Sequence, residues 1–76
     1  MTLWQTRCRI RRVPGWERAD VGVHHYAESG YPERFHAYAI VSRSFPSCFL
    51  PMVTVTMGSR SDALRGIVAA VERALA

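Results

Sequence analysis

Along the first stretch of the chain, polar and apolar side chains alternate. In an extended conformation Trp4, Thr6, Cys8 and Ile10 fall on one side and Gln5, Arg7, Arg9 and Arg11 on the other. A period of two predicts a strand over 3–13 with one buried and one wet face. Pro14 and Gly15 stop it, since proline has no amide donor and glycine supplies a positive φ. Residues 21–27 predict a second strand. Residues 34–44 predict a third, rich in aromatic and β-branched side chains. Between them, 28–33 (Glu-Ser-Gly-Tyr-Pro-Glu) has turn composition. A hairpin symmetric about Gly30 and Tyr31 places His25 opposite His36 and Val23 opposite Tyr38. Residues 52–57 predict a fourth strand, with Val53, Val55 and Met57 on one face and Thr54 and Thr56 on the other.

The period then changes. Leu64, Ile67, Val68, Val71 and Leu75 recur at helical spacing and make one apolar stripe. Ser59-Arg60-Ser61-Asp62 before it fits a capping box, in which Ser59 accepts from the Asp62 amide and the Asp62 carboxylate reaches back. The helix so predicted has about 16 residues and is ~24 Å long. Gly66 inside it is unfavourable for a helix and predicts close approach to a strand. Residues 45–51 (Phe-Pro-Ser-Cys-Phe-Leu-Pro) form a proline-bracketed loop that cannot be a central strand. Its apolar side chains either fold over one end of the core or form a contact patch.

Strands followed by a helix predict an α+β fold. It is a small antiparallel sheet of three to four strands in meander order, with one C-terminal helix packed on one face. The whole chain, 1–76, is a single domain. A domain this small buries only ~60% of its unfolded surface, so its core is marginal. The other sheet face is then open, and Arg7, Arg9 and Arg11 lie on it in a row, ~6.7 Å apart.

Charge sharpens that picture. The net charge of +4 is contained in the first eighteen residues, where Arg7, Arg9, Arg11, Arg12 and Arg18 face only Glu17. From Asp20 onward arginines and acids balance. A clustered charge makes a local field and points to an acidic partner. All ten basic residues are arginine. Two explanations stay open: a surface suited to bidentate contacts with phosphate or carboxylate, and GC-rich codon usage. Apolar residues make up 49% and charged residues 21% of the chain, which is globular composition. No apolar window is long enough to span a membrane. The first residues lack the basic start and apolar run of a secretory signal. The expected location is therefore cytoplasmic, the host cytoplasm if the chain is phage-encoded. Cys8 alternates with core residues and is expected to be a buried reduced thiol. A Cys8–Cys48 bridge stays open.

Motifs for chemistry are few. His24 and His25 are adjacent and point to opposite faces of a strand, so they cannot easily share one ion. His25 with His36 supplies two ligands and no third at a familiar spacing. There is no nucleophile elbow, no glycine-rich phosphate loop and no Walker lysine. The expectation is a non-enzymatic chain with no cofactor, no metal and no catalytic residues. Protein binding fits the rest: a basic strand, an exposed hairpin tip and an apolar loop. The residues expected to contact a partner are Arg7, Arg9, Arg11, Arg12, Trp16, Arg18 and Tyr31. The partner is a protein with an acidic patch, or a nucleoprotein effector complex. Nucleic acid is the alternative partner, with the same arginines on phosphates and Trp4, Trp16, Tyr26, Tyr31, Phe35 and Tyr38 as stacking surfaces. A homodimer through the free edge of the first strand also stays open.

Two resemblances add to this. Val53-Thr54-Val55-Thr56-Met57-Gly58-Ser59-Arg60-Ser61-Asp62-Ala63-Leu64, running on to Ile67 and Val71, resembles the strand–glycine–capped-helix passage of HicB-type antitoxins. The proline loop before it is longer than that family's pattern. The chain as a whole, with a small sheet, one helix and no catalytic motif, is similar in format to phage-encoded inhibitors of bacterial defence, the anti-CRISPR proteins. That group shares no motif, so no residue carries over. The resemblance implies inhibition by docking. The basic charge excludes mimicry of DNA and implies an acidic protein patch, or a surface that positions nucleic acid.

Overall fold

A computed structural model describes residues 1–41 and 52–74. The loop 45–51 with Cys48, the end of the third expected strand (42–44) and Leu75 lie outside the described residues. The order of elements is α1 (Leu3–Arg11), β1 (Ala19–Tyr26), β2 (Arg34–Val41), β3 (Met52–Met57) and α2 (Arg60–Arg73). The fold is α+β, with a three-stranded antiparallel sheet in the order β1-β2-β3 and a C-terminal helix.

The first element is a correction. Residues 3–11 are a helix, not a strand. Thr2 caps it: its Oγ1 accepts from the Gln5 amide at 3.1 Å, and Gln5 Oε1 accepts from the Thr2 amide at 2.9 Å. This reciprocal pair satisfies amides that have no intrahelical partner. In the helix Leu3, Thr6, Ile10 and, just past its end, Val13 make the inward stripe. Thr6 is fully buried, and its hydroxyl donates to the Thr2 carbonyl at 2.9 Å, so its burial leaves nothing unpaired. Pro14 does end the element, but as a stop just beyond a helix. The chain turns at Gly15, where φ is +91°.

The hairpin of β1 and β2 is centred on Gly30, with φ +89°. It therefore differs by one position from the symmetric expectation. His24 lies opposite His36, His25 opposite Phe35, and Val23 opposite Ala37. Because faces alternate, this register decides which side chains share a surface. Ala19, Val21 and Val23, with Phe35, Ala37, Ala39 and Val41, and with Val53 and Val55, face the helices. His24 and Tyr26, with His36 and Tyr38, and with Thr54 and Thr56, share the other face.

One apolar cluster joins Ile10 and Trp16 to Ala19, Val21, Ala37, Ala39 and Val41 of the sheet, and to Ala63, Ile67, Val68 and Val71 of α2. The alanines on the central strand leave room for the branched side chains of α2. Ser59 caps α2, its Oγ accepting from the Asp62 amide at 3.1 Å. Gly66 sits against β3. A Cβ there would lie 3.2 Å from Met57 Cε and 3.5 Å from Val55 Cγ2, so the helix passes close to the strand and an alanine would press on the flexible end of Met57.

Candidate binding surfaces

A helix turns each residue by about 100°, so the arginines of α1 cannot stand in a row. They divide instead. Arg7 is half-buried. Arg11 Nε donates to the Ala19 carbonyl at 3.1 Å and ties the end of α1 to the start of β1. Arg9 Nη2 lies 3.8 Å from Glu72 Oε1 of α2, a loose ion pair at the surface. Arg12 and Arg18 are exposed. The expected strip of evenly spaced guanidinium groups on an open sheet face is thus corrected. The homodimer left open through the free edge of a first strand loses that edge, since the segment is helical.

The same turn brings other groups together. Met1, Trp4, Gln5, Cys8, Arg9 and Arg12 recur at spacings of three and four and line a shallow groove of about 460 Å³ on the outside of α1. Trp4, expected inside, is 67% exposed. Cys8, also expected in the core, is half-buried in the groove. Trp16, expected at the contact surface, is the indole that fills the core instead, 5% exposed. The two tryptophans have therefore exchanged their expected places. Tyr31 stands at the hairpin tip, 72% exposed, as a tip residue of such a hairpin should.

Glu17, the one acid among the N-terminal arginines, is held in the turn that follows α1. Its carboxylate accepts from its own amide and from that of Gly15, the latter at 3.2 Å. These bonds hold its carboxyl below the ordinary value, because they favour the charged form.

A second surface is the sheet face away from the helices. Its middle is made of rings. His24 stacks on Tyr38 with centroids 5.5 Å apart and planes at 21°. Tyr26 lies 6.4 Å from His24 and 6.2 Å from His36. Tyr38 leans across Gly22, where any Cβ would strike its ring. His36 Nδ1 is 3.0 Å from Thr56 Oγ1. Neither the ring set nor its register was visible in the alternation of β1 and β2, because both faces of these strands carry rings. The absence of a side chain at Gly22, directly opposite Tyr38, was the one available signal.

His25 is on the helix side, stacked on Phe35 at 4.6 Å, with Nε2 2.9 Å from Glu33 Oε1. It is therefore separated from His36 by the sheet. Among the described residues, no three His, Cys, Asp or Glu side chains converge on one point, and no helix is long and apolar enough to cross a membrane. No family model, curated protein or solved structure matches the chain.

Proposed function

We propose that this is a non-enzymatic binding protein that docks on an acidic protein surface through the outside of α1. The observation that carries the reading is Trp4, a large indole held 67% exposed in a groove rimmed by Arg9 and Arg12. Tryptophan and arginine are the side chains that most often anchor interfaces. Covering an exposed indole removes a large apolar surface from water. Arg9 and Arg12 then supply charge to the rim, Arg18 is exposed outside the groove, and Tyr31 is a separate anchor at the hairpin tip. Arg11 ties the end of α1 to β1, and Trp16 belongs to the core beneath it.

The inhibitory role follows the format of the anti-CRISPR proteins. A small chain that covers a working surface of a nucleoprotein effector needs no cofactor, metal or catalytic group, and acts in a cytoplasm. The alternative is nucleic-acid binding through the same arginines. It is weaker at α1, because Arg11 is engaged with a carbonyl and Arg9 lies beside Glu72, which leaves few guanidinium groups to track phosphates.

The test is a pull-down from an extract of the source cell, run with and without nuclease, comparing the natural chain with a Trp4→Ala/Arg12→Ala variant. A protein retained after nuclease and lost with the variant supports the reading. Both positions are exposed, so the variant's stability should change by no more than about 0.5 kcal/mol per site. Capture that vanishes with nuclease, or that survives the double substitution, rejects it.

A further inference from the structure

We propose that the open face of the sheet is a stacking platform for the bases of a single-stranded nucleic acid. This surface is distinct from the outside of α1 and goes beyond the reading above.

The side chains there are of an unusual kind. A sheet face awaiting a protein layer would carry aliphatic side chains in its middle. A face needed only for solubility would carry charges and threonines. Here the middle positions of β1 and β2 are His24, Tyr26, His36 and Tyr38, which are planar rings with heteroatoms at their rims. The aliphatic side chains Ile40 and Met52 are set apart at the far end, in register with Asp20. Rings of this kind match flat, polar heterocycles. They offer π surface to the face of a base, and hydroxyl or imidazole nitrogen to its edge.

His24 and Tyr26 are exposed, and His36 and Tyr38 are half-buried and held in place. Tyr26 is 53% exposed. Tyr38 is fixed from below by Gly22 and from the side by His24, so it does not have to be ordered when a ligand arrives. His36 is oriented by Thr56. Both helices lie on the opposite face, and among the described residues no element is stacked over these rings.

Charge favours an anion at one end. Arg34 is directly opposite Tyr26 on this face and is exposed, within reach of a phosphate next to a stacked base. The acid of this face, Asp20, is at the other end, in register with Ile40. An unpaired strand fits and a duplex does not. In a duplex the base faces are stacked on one another and only edges and phosphates remain.

The experiment is fluorescence anisotropy with labelled 12-nucleotide oligothymidine and oligouridine, and with a blunt duplex of mixed sequence, near physiological salt. The natural chain should bind the single strands more tightly than the duplex. Tyr26→Ala/Tyr38→Ala should weaken that binding by at least about tenfold, from the usual worth of one aromatic–base stack. Tyr26→Phe/Tyr38→Phe should keep most of it, because the ring face remains. Should the double alanine variant unfold by circular dichroism, the exposed Tyr26→Ala alone carries the test, with a loss of about fivefold or more. Trp4→Ala/Arg12→Ala should bind oligonucleotide as the natural chain does, which separates this site from the α1 surface. Equal affinity for duplex, no binding of either strand, or unchanged binding by a folded alanine variant overturns the proposal. So does a nuclease-resistant protein partner lost with Tyr26→Ala, which would assign the face to protein.

Discussion

The two helices of this protein are built by different means. α2 has fourteen residues, a serine cap and a continuous apolar stripe, and five of its side chains are buried. α1 has nine residues, is rich in arginine, and buries only Thr6 and Ile10 within its span. A helix like α2 is driven by the burial of one face. α1 is short for an independent helix and needs its cap, its aliphatic contacts through Leu3 and Ile10, and the Arg11–Ala19 bond together. The outward consequence differs as well. α2 spends its apolar residues on the core, while α1 leaves Trp4 outside. The weaker helix is thus the one with a surface to offer a partner.

The most forceful way to break this comparison is to remove the anchors. Ile67→Ala in α2 and Ile10→Ala in α1 each delete a fully buried side chain, and each should cost about 2–5 kcal/mol in denaturant melts. Ile10→Ala should in addition strip hydrogen-exchange protection from α1 before the sheet. A cost under about 1 kcal/mol for Ile10→Ala would mean that α1 is not part of the core. The caps come next. Thr2→Ala and Ser59→Ala should each lose about 0.5–2 kcal/mol, and Thr2→Ala should take the larger share of its own helix's circular-dichroism signal. Equal fractional loss in both helices would sink the claim that α1 leans on its cap.

The smallest effect is that of Glu17 in the turn after α1. Its folded pKa is lowered by backbone hydrogen bonds, so its contribution is fully present above the ordinary carboxylate value of 4.5. It is lost as pH falls through the folded value. Glu17→Gln should therefore melt below the natural chain at pH 7, with the gap closing toward pH 3. A gap that does not change with pH would show that the carboxylate's charge is not what matters.

Part of this was legible in the residues. α2, its cap at Ser59, the glycine against β3 and the span of β3 follow from periodicity and capping, because burial of one face is written into spacing. The α+β class and the antiparallel sheet follow in the same way. The N-terminal segment misled for a definite reason. Trp4, Thr6, Cys8 and Ile10 alternate, but Leu3, Thr6, Ile10 and Val13 also keep a helical spacing, and Thr2-Leu3-Trp4-Gln5 is a capping sequence. Both periods fit so short a stretch. The hairpin missed its register by one position, since a seven-residue connection between Tyr26 and Arg34 does not dictate its own centre.

By itself, then, the sequence determined those elements whose local pattern admits one period, and it located the basic cluster near the N-terminus. Tertiary structure alone decided which tryptophan is inside. Trp16 joins the apolar cluster to which α1, the sheet and α2 all contribute, whereas Trp4 is on the side of α1 that nothing in the described fold covers. It also decided that the arginines separate and that His24, Tyr26, His36 and Tyr38 come together. Those are properties of how elements are rotated and registered against one another, and they arise from contacts between residues far apart in the chain.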